Sequence, residues 1–366
     1  MHHNYYNDTK NKFYKDYTMT IYISLLISVV FLNFVFFPDK YGNGYKRAVY
    51  CIIIGLFFTI LPAFRGLNVG LDTYGNMEIF REASKPLTKV LHEMRHEPIY
   101  LILALVCNRI DSLVLFQTIC AVLYIYGVAK LIKNYSATCW LSFLFFFIYG
   151  FYYFAFNEMR QASAIGICCL AIKPLLEGKW IRYILIIIIG SLFHYSALMM
   201  LPLVIIKYIP KLRLYHLFIA GALFGAMMIV SDYILIGMND MLVLEYGEDD
   251  TAGGYGLLAL QVVTVLLGYI INKKVSLKGV DLFSYYMIVV SIIVFPFCHL
   301  NTFFFRQEQY SWIFMIIIVP NLLKYIKGPL IKYPIMILYI AVGFYQGFTN
   351  CYTVDNKIFP YQFFWE

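Results

Sequence analysis

Long apolar runs recur from end to end of this chain, and they limit its possible folds more than any other feature. Hydrophobic residues make up 61% of the 366-residue sequence and charged residues only 14%, with a mean hydropathy of +0.70. An apolar run of about 20 residues can cross a bilayer as an α-helix, and backbone groups in lipid must be hydrogen-bonded within their own segment. The sequence therefore predicts an all-α fold, a polytopic bundle of transmembrane helices.

The apolar runs predict about ten to twelve membrane segments. Residues 98–110 are apolar but short, which is more typical of an interfacial or re-entrant helix than of a span. We expect a polar N-terminal tail at 1–18, a single transmembrane domain at 19–349 and an extracytoplasmic C-terminal tail at 350–366. The expected crossings are 19–37, 47–64, 112–130, 138–156, 161–176, 214–236, 255–272, 281–297, 307–325 and 332–349.

Charged loops predict the orientation, because Lys and Arg concentrate in cytoplasmic loops. Residues 181–206 have basic clusters at both ends but are too few for two full crossings. We interpret them as a broken helical hairpin that turns near 193–196; the alternative, one long span, would invert everything downstream. The acidic loop at 239–254 is placed outside. The clusters placed inside are Lys130/Lys133, Lys173/Lys179/Arg182, Lys207/Lys211/Arg213, Lys273/Lys274/Lys278 and Lys324/Lys327/Lys332.

With this orientation, polar groups from distant parts of the sequence meet the outer membrane face. Arg65 ends an apolar run, where an unpaired guanidinium beside lipid is costly, and Asp72 offers a carboxylate within its reach. Gly66 and Gly70 permit tight backbone turns there. The groups that meet this face are Phe64–Phe80, Asn157–Gln161, His194, His299 with Asn301, and Arg306–Gln309.

Each of these groups also has a plainer structural interpretation. Arg65 could be an interfacial arginine beside an ordinary turn, and His194 a packed histidine in an apolar segment. Arg160 could form a local ion pair with Glu158. Arg306 could likewise form a local ion pair with Glu308.

Other classes of site are disfavoured by spacing. The eight cysteines include no Cys-x-x-Cys pair, so zinc sites and disulfide frameworks are not expected. Basic residues lie mostly in short loops, as topology signals do, and nucleic-acid binding is not expected. We find no metal-ligand spacing and expect no metal and no cofactor.

Three blocks of the sequence resemble those of a known family. Arg65-Gly-Leu-Asn-Val-Gly-Leu-Asp-Thr resembles the Arg…Val-Gly-x-Asp-Thr/Tyr signature of the EpsG-like, Wzy-type polysaccharide polymerases. Phe156-Asn-Glu-Met-Arg-Gln-Ala-Ser-Ala and Gly190-Ser-Leu-Phe-His-Tyr-Ser-Ala-Leu are similar to two further blocks of that family, and Phe359-Pro-Tyr to its C-terminal part. Asn76-Met77 departs from the pattern where a tyrosine usually follows the Asp-Thr pair.

The resemblance implies a bacterial polymerase that joins undecaprenyl-pyrophosphate-linked oligosaccharides, both donor and acceptor, into O-antigen, capsule or exopolysaccharide. It implies an enzyme of the cytoplasmic membrane whose active site faces outward among membrane lipids, with a chain-length regulator protein as a potential partner. The expected catalytic residues are His194, Asp72 and Glu158. The expected substrate-binding residues are Arg65, Gly70, Arg160, Gln161, His299, Arg306 and Glu308.

Two other functions fit a membrane protein of this kind. A transporter or flippase of lipid-linked sugars should show internal repeats or paired broken helices, and the sequence shows one hairpin and no clear repeat. A membrane O-acyltransferase would rest on His194 within an apolar segment. The outward arginines suit a pyrophosphate better than an acyl donor.

Overall fold

The computed structural model describes residues 2–39, 44–82, 97–209, 211–242, 254–300 and 302–366. These residues form α-helices, short 3-10 turns and one π-helical turn at Gly347–Cys351, with no β-strand. This confirms the all-α prediction for the described part of the chain. Several predicted features lie outside the described residues, namely Asn301, the side chain of His299 and the acidic residues at 245–250.

The described α-helices vary widely in length, and short 3-10 segments at Phe151–Ala155, Tyr195–Met200 and Pro202–Tyr208 interrupt them. In chain order the helices are α1 (His2–Phe36), α2 (Gly44–Ala63), α3 (Thr73–Glu82), α4 (Pro98–Arg109), α5 (Leu113–Tyr135), α6 (Cys139–Ile148), α7 (Met159–Leu176), α8 (Trp180–Ser191), α9 (Leu214–Leu242), α10 (Tyr255–Val275), α11 (Gly279–Leu300), α12 (Thr302–Trp312), α13 (Met315–Tyr325) and α14 (Pro329–Gln346).

Within the described residues, 8 helices are long and apolar enough to cross a membrane. They coincide with eight of the predicted crossings, and this confirms a polytopic helical membrane protein. The short segment at 98–110 is also helical, as α4. The predicted N-terminal tail is helical and belongs to α1, which begins at His2. The apolar part of α1 begins at Tyr17.

The predicted crossing at 138–156 is wrong as a single helix. Helix α6 ends at Ile148, and Gly150 takes a left-handed conformation with φ +83° before the 3-10 turn begins. A Cβ atom at Gly150 would lie 2.5 Å from Cys351 Sγ. Only glycine fits this conformation and this contact, so the sequence breaks the helix here.

The predicted crossing at 307–325 is also wrong as a single helix. The chain turns at Ile313 and Phe314, between α12 and α13, and both side chains are buried. Their carbonyl oxygens accept hydrogen bonds from the N–H groups of Ile316 and Ile317 at 3.2 and 3.0 Å. Irregular backbone at membrane depth is tolerated when protein covers it and its polar groups are bonded in this way.

The predicted break within residues 181–206 is present in the structure. Helix α8 has 12 residues, which is about 18 Å and too short to cross the bilayer core. The N–H groups of Phe193 and His194 both donate to the carbonyl oxygen of Gly190 at 3.0 Å, and this turn ends the helix. The second arm differs from the prediction, because it consists of two 3-10 helices instead of an α-helix.

The chain divides into two compact units. The first comprises Met1–Asn134, Thr138–Leu198 and Gly343–Glu366, and the second comprises Tyr135–Ala137 with Met199–Val342. In the second unit, the side chain of Asn321 donates to Asp281 Oδ1 at 2.6 Å and accepts the N–H of Ala137 at 2.6 Å. These bonds fasten the segment at 135–137 to α11 and α13.

An aromatic core fills the first unit and includes residues near the C-terminus. The Phe147 and Tyr352 rings stack with centroids 4.5 Å apart, and Tyr352 also donates its hydroxyl to the carbonyl oxygen of Phe147 at 2.9 Å. Tyr352, Ile358 and Tyr361 are all buried. The segment predicted as a C-terminal tail is therefore packed into the unit, because its aromatic side chains are part of the core.

Two glycines bring the backbones of α5 and α7 into direct contact in the first unit. A Cβ built on Gly127 would lie 1.9 Å from the carbonyl oxygen of Gly166, and one built on Gly166 would lie 2.3 Å from that of Leu123. Small residues that allow close backbone approach are a common basis of helix packing in membranes. This contact fixes α7, whose first turn carries the predicted site residues.

We expect Gly127→Ala to destabilise the protein, because an added methyl group would have to displace the backbone of Gly166. Overpacking of this kind costs about 1–3 kcal/mol. Gly221→Ala is the matched control, since a Cβ at Gly221 on α9 meets nothing within 4 Å. The melting temperature in detergent should fall for Gly127→Ala and hold for Gly221→Ala. Equal melting temperatures would contradict the close α5–α7 contact.

Candidate functional site

Arg65 lies just after α2, and its guanidinium joins several segments of the first unit. The side chain is 1% exposed. Nη1 donates to the carbonyl oxygens of Pro62 at 2.7 Å and Ala155 at 3.1 Å. Nε lies 3.3 Å from Thr73 Oγ1, and Nη2 lies 3.4 Å from Met159 Sδ. Arg65 therefore holds the ends of α2 and the 3-10 turn against the starts of α3 and α7.

The expected pair between Arg65 and Asp72 does not form. The guanidinium reaches Thr73, the next residue, and no carboxylate of the described chain lies within ion-pair distance of it. Burial lowers the pKa of Arg65 to about 10, so the group stays protonated at neutral pH. A buried cation without an acidic partner attracts an anionic ligand.

Gly70 acts through backbone packing. Its φ is +93°, and a Cβ there would lie 2.6 Å from the carbonyl oxygen of Phe156 and 3.0 Å from Asn157 Oδ1. The N–H of Leu71 donates to that Oδ1 at 2.8 Å, and the N–H of Gly70 donates to the carbonyl oxygen of Lys357 at 2.8 Å. Glycine is needed because two other segments approach the backbone at this point.

The C-terminal segment forms one wall of the Arg65 loop. Gly66 N–H donates to the carbonyl oxygen of Gln362 at 2.8 Å, and Phe364 N–H donates to that of Phe64 at 2.9 Å. The hydroxyl of Tyr361 donates to the carbonyl oxygen of Leu61 at 2.9 Å. These bonds make the last residues of the chain part of the site's framework.

Glu97 joins Arg160 to the turn that carries His194, and it is a site residue that was not predicted. Its side chain is 6% exposed, and Oε2 lies 3.0 Å from Arg160 Nη1. Oε1 accepts the backbone N–H of Tyr195 at 3.4 Å. The sequence signal was a carboxylate directly before Pro98 at the start of an apolar helix, a place where the helix dipole favours negative charge.

Arg160 also connects α7 to α3 through an aromatic side chain. Its guanidinium lies 5.8 Å from the centre of the Tyr100 ring, within the range of a cation–π interaction. The hydroxyl of Tyr100 donates to Asn76 Oδ1 at 2.7 Å. The Arg160 side chain remains 31% exposed, so a ligand can reach it.

The ring of His194 is oriented by Ser196. His194 Nδ1 lies 2.5 Å from Ser196 Oγ and 3.3 Å from the backbone nitrogen of Ser196. A backbone N–H can only donate, so Nδ1 is the acceptor and the neutral ring carries its proton on Nε2. This tautomer suits His194 to donate a hydrogen bond through Nε2.

Asp72 and Glu158 each lie directly before a helix of the first unit. Asp72 precedes α3 and Glu158 precedes α7, and both are partly exposed. The pKa of the Tyr153 hydroxyl is raised mainly by burial, and also by the nearby charges of Glu158 and Asp72. Both carboxylates therefore act on the same group. Gln161 is 1% exposed on α7.

The remaining predicted residues belong to the second unit. Glu308 on α12 is 3% exposed. It accepts a hydrogen bond from Gln261 Nε2 at 2.8 Å and a short one from Ser291 Oγ. Arg306 is exposed on the same helix and does not pair with Glu308, because residues two apart lie on different faces of a helix. His299 lies on α11, and its side chain is outside the described part.

The comparison with known families agrees with the motifs. The sequence profile of the EpsG family matches residues 48–363. The chain belongs to the EpsG family. This membership supports a polymerase-type function in polysaccharide biosynthesis, and the matched region includes the Arg65 loop, Glu97, the start of α7 and the His194 turn. Searches of curated proteins and of solved structures returned no significant match.

We expect Glu97→Gln to destabilise this EpsG-family protein more than Glu177→Gln. Glu177 is the matched control, because its side chain is 38% exposed in its pair with Lys179, against 6% for Glu97. Exposed ion pairs contribute about 0–1 kcal/mol, and a buried acceptor lost from a charged donor costs about 1–3 kcal/mol. Melting temperatures in detergent measure the difference. Equal values for the two variants would contradict the buried Arg160–Glu97 pair.

Proposed function

We propose that this EpsG-family protein joins undecaprenyl-pyrophosphate-linked oligosaccharide repeat units into O-antigen, capsular polysaccharide or exopolysaccharide. The main support is the convergence of charged groups around the first turn of α7. Arg65 contacts Met159 there, Arg160 pairs with Glu97, and Glu97 accepts the N–H that follows His194. Ionisable residues within membrane proteins are costly and mark the paths of substrates.

In the proposed reaction, a hydroxyl oxygen of the acceptor attacks the anomeric carbon of the donor. The bond between that carbon and the pyrophosphate oxygen breaks, and its electron pair leaves with undecaprenyl pyrophosphate. The hydroxyl proton passes to a base. Because negative charge grows on the leaving oxygen, fixed cations and hydrogen-bond donors near it lower the barrier.

The two arginines of the first unit have different roles in this proposal. Arg160 is partly exposed and contacts the pyrophosphate, since guanidinium groups match phosphate oxygens bidentately. Arg65 has committed Nε and Nη1 to protein acceptors, so it contributes its charge and the Nη2 side of its fork. Arg306 remains a proposed third cation. Glu308 is occupied by Gln261 and Ser291, which favours a packing role.

In this proposal His194 is a hydrogen-bond donor, and a different residue is the base that takes the proton. With Nδ1 accepting from Ser196, His194 donates through Nε2 to an oxygen that gains negative charge. The proton from the acceptor hydroxyl goes to Asp72 or Glu158, which are partly exposed carboxylates beside Tyr153. A carboxylate base suffices here because pyrophosphate is already a good leaving group.

Complementation of a deletion strain tests the reaction class and the role of Arg160. We expect Arg160→Lys to keep the charge, lose the fork and lower elongation by about ten- to a hundredfold, since such bonds contribute about 1.5–3 kcal/mol. Arg182→Lys is the matched control, because Arg182 is exposed on α8. Polysaccharide chain length at equal membrane abundance is the measurement.

The deletion strain itself separates polymerase from flippase. A polymerase defect should give single-repeat product with intact export, and a flippase defect should give lipid-linked units on the inner face.

His194→Ala should abolish elongation, and His194→Gln should retain part of it, because an amide can still donate. Full-length polymer from Arg160→Ala and His194→Ala would contradict the proposed site.

The proposed orientation places this site at the outer face of the bacterial cytoplasmic membrane. Asn68→Cys, on the exposed Arg65 loop, should react with an impermeant maleimide in intact cells. Lys274→Cys, in the last turn of α10, should react only after permeabilisation, because basic loops remain in the cytoplasm. The experiment uses a variant free of other cysteines, and the reverse labelling pattern would contradict the orientation.

A further inference from the structure

A cavity of about 700 Å³ lies in the first unit beside Arg65. Its volume is within the roughly 300–1,000 Å³ of small-molecule sites. Its walls combine cationic, amide and hydroxyl groups with apolar and aromatic side chains. The residues that line it are Arg65, Leu67, Met77, Phe80, Arg81, Asn108, Asp111, Ser112, Leu113, Val114, Gln117 and Phe364.

Gln117 provides the most informative group in this wall. It lies in the first half of α5, next to Thr118 and among apolar residues, and is 2% exposed. Its Oε1 has no hydrogen-bond partner among the described residues. A buried acceptor left unsatisfied costs about 1–3 kcal/mol. Oε1 itself is covered, so the terminal amide would have to rotate for Oε1 to accept a bond from a hydroxyl or amide N–H of a ligand in the cavity.

Two cations in the same cavity call for negative charge on that ligand. Among the described residues Arg65 has no carboxylate partner, and its Nη2 contacts Met159 Sδ, a weak acceptor. Arg81 lies in the last turn of α3 and forms no ion pair within the described chain, although Asp111 lines the same cavity. The two arginines and one aspartate give the cavity lining a net positive charge.

The other walls suit a sugar ring. The Asn108 amide is fixed by a bond from Nδ2 to the carbonyl oxygen of Phe80 at 3.0 Å. The ring of Phe364 is 49% exposed and is held against that of Phe64, with centroids 6.0 Å apart. An aromatic face and a fixed amide in the same cavity can contact the C–H face and the hydroxyl groups of a pyranose.

We propose that this cavity, here called the Gln117 cavity, binds the glycosyl phosphate portion of the lipid-linked substrate, with a sugar hydroxyl or acetamido group on Gln117 and the phosphate toward Arg65 and Arg81. Free phosphate fits less well, because at neutral pH it offers Gln117 few donors. A lipid chain fits less well, because it would leave the arginines and amides unsolvated. The proposal rests on the proposed function for the identity of the substrate.

The test measures binding separately from polymerisation. Full-length protein in nanodiscs is titrated with the lipid-linked repeat unit extracted from the deletion strain, and in parallel with inorganic pyrophosphate. Val114→Trp fills the cavity from α5. Leu115→Trp is the matched control, because Leu115 is 37% exposed and does not line the cavity. We expect at least a tenfold rise in Kd for Val114→Trp and no change for Leu115→Trp.

Gln117→Leu separates a ligand-binding role from a structural one. It removes the buried, unsatisfied Oε1 at nearly constant side-chain volume, so the melting temperature should hold or rise, while the Kd for the extract should rise at least tenfold. A lower melting temperature with unchanged Kd would overturn the proposal. The proposal would also be overturned if pyrophosphate bound as tightly as the extract and its Kd did not change in Gln117→Leu. The cavity would then be a site for the anion alone.

Product length distinguishes this proposal from the proposed function. Wild-type protein that binds the extract through Gln117 but never lengthens it would contradict the polymerase and support the cavity. Wild-type protein that lengthens the extract, together with a fully active Val114→Trp variant of unchanged Kd, would support the polymerase and overturn the cavity.

Discussion

The buried guanidinium of Arg65 is the interaction on which the first unit depends. Pro62 lies in the last turn of α2, and Ala155 ends a 3-10 turn. Carbonyl groups at helix ends lack partners within their helix, and cations are favourable there because of the helix dipole. One arginine thus satisfies two helix ends while keeping a positive charge inside the protein. No carboxylate among the described residues lies within ion-pair distance of that charge. The same guanidinium therefore holds the framework together and attracts anions.

The requirements of a membrane explain why the first unit contains so many short helices. A helix that crosses needs about 20 residues, yet α6 and α8 have 10 and 12. Each ends where the chain must place polar groups beside Arg65 or Glu97. Such breaks are stable only where the freed N–H and carbonyl groups find partners, as at Gly190 and Gly150. The helices are therefore broken at the positions where the chain forms the candidate site.

Hydropathy predicted most of the spans because length and apolarity are sufficient to specify a crossing. It failed at 138–156, where the helix ends through contact between Gly150 and Cys351, residues that are far apart in the sequence. Within the site, Arg65, Arg160 and His194 stood out because polar groups are conspicuous in apolar surroundings. Their bonding partners were not predictable, since the acceptors of Arg65 are mainly backbone carbonyl groups, which every residue carries.

Glu97 and Gln117 show what a single sequence hides even when the residue is polar. Glu97 becomes significant only when α7 brings Arg160 within 3.0 Å of it, and Gln117 only when the Arg65 loop closes a cavity over α5. Arg160 and Arg65 also differ in how their charge is balanced. Glu97 compensates Arg160 and fixes its guanidinium, so the phosphate of the proposed substrate would meet an oriented donor there. Among the described residues Arg65 has no such acid, so in the proposed function a phosphate would be its first counter-charge. The gain in electrostatic energy on binding should therefore come mainly from Arg65, and the geometry of the bound phosphate mainly from Arg160.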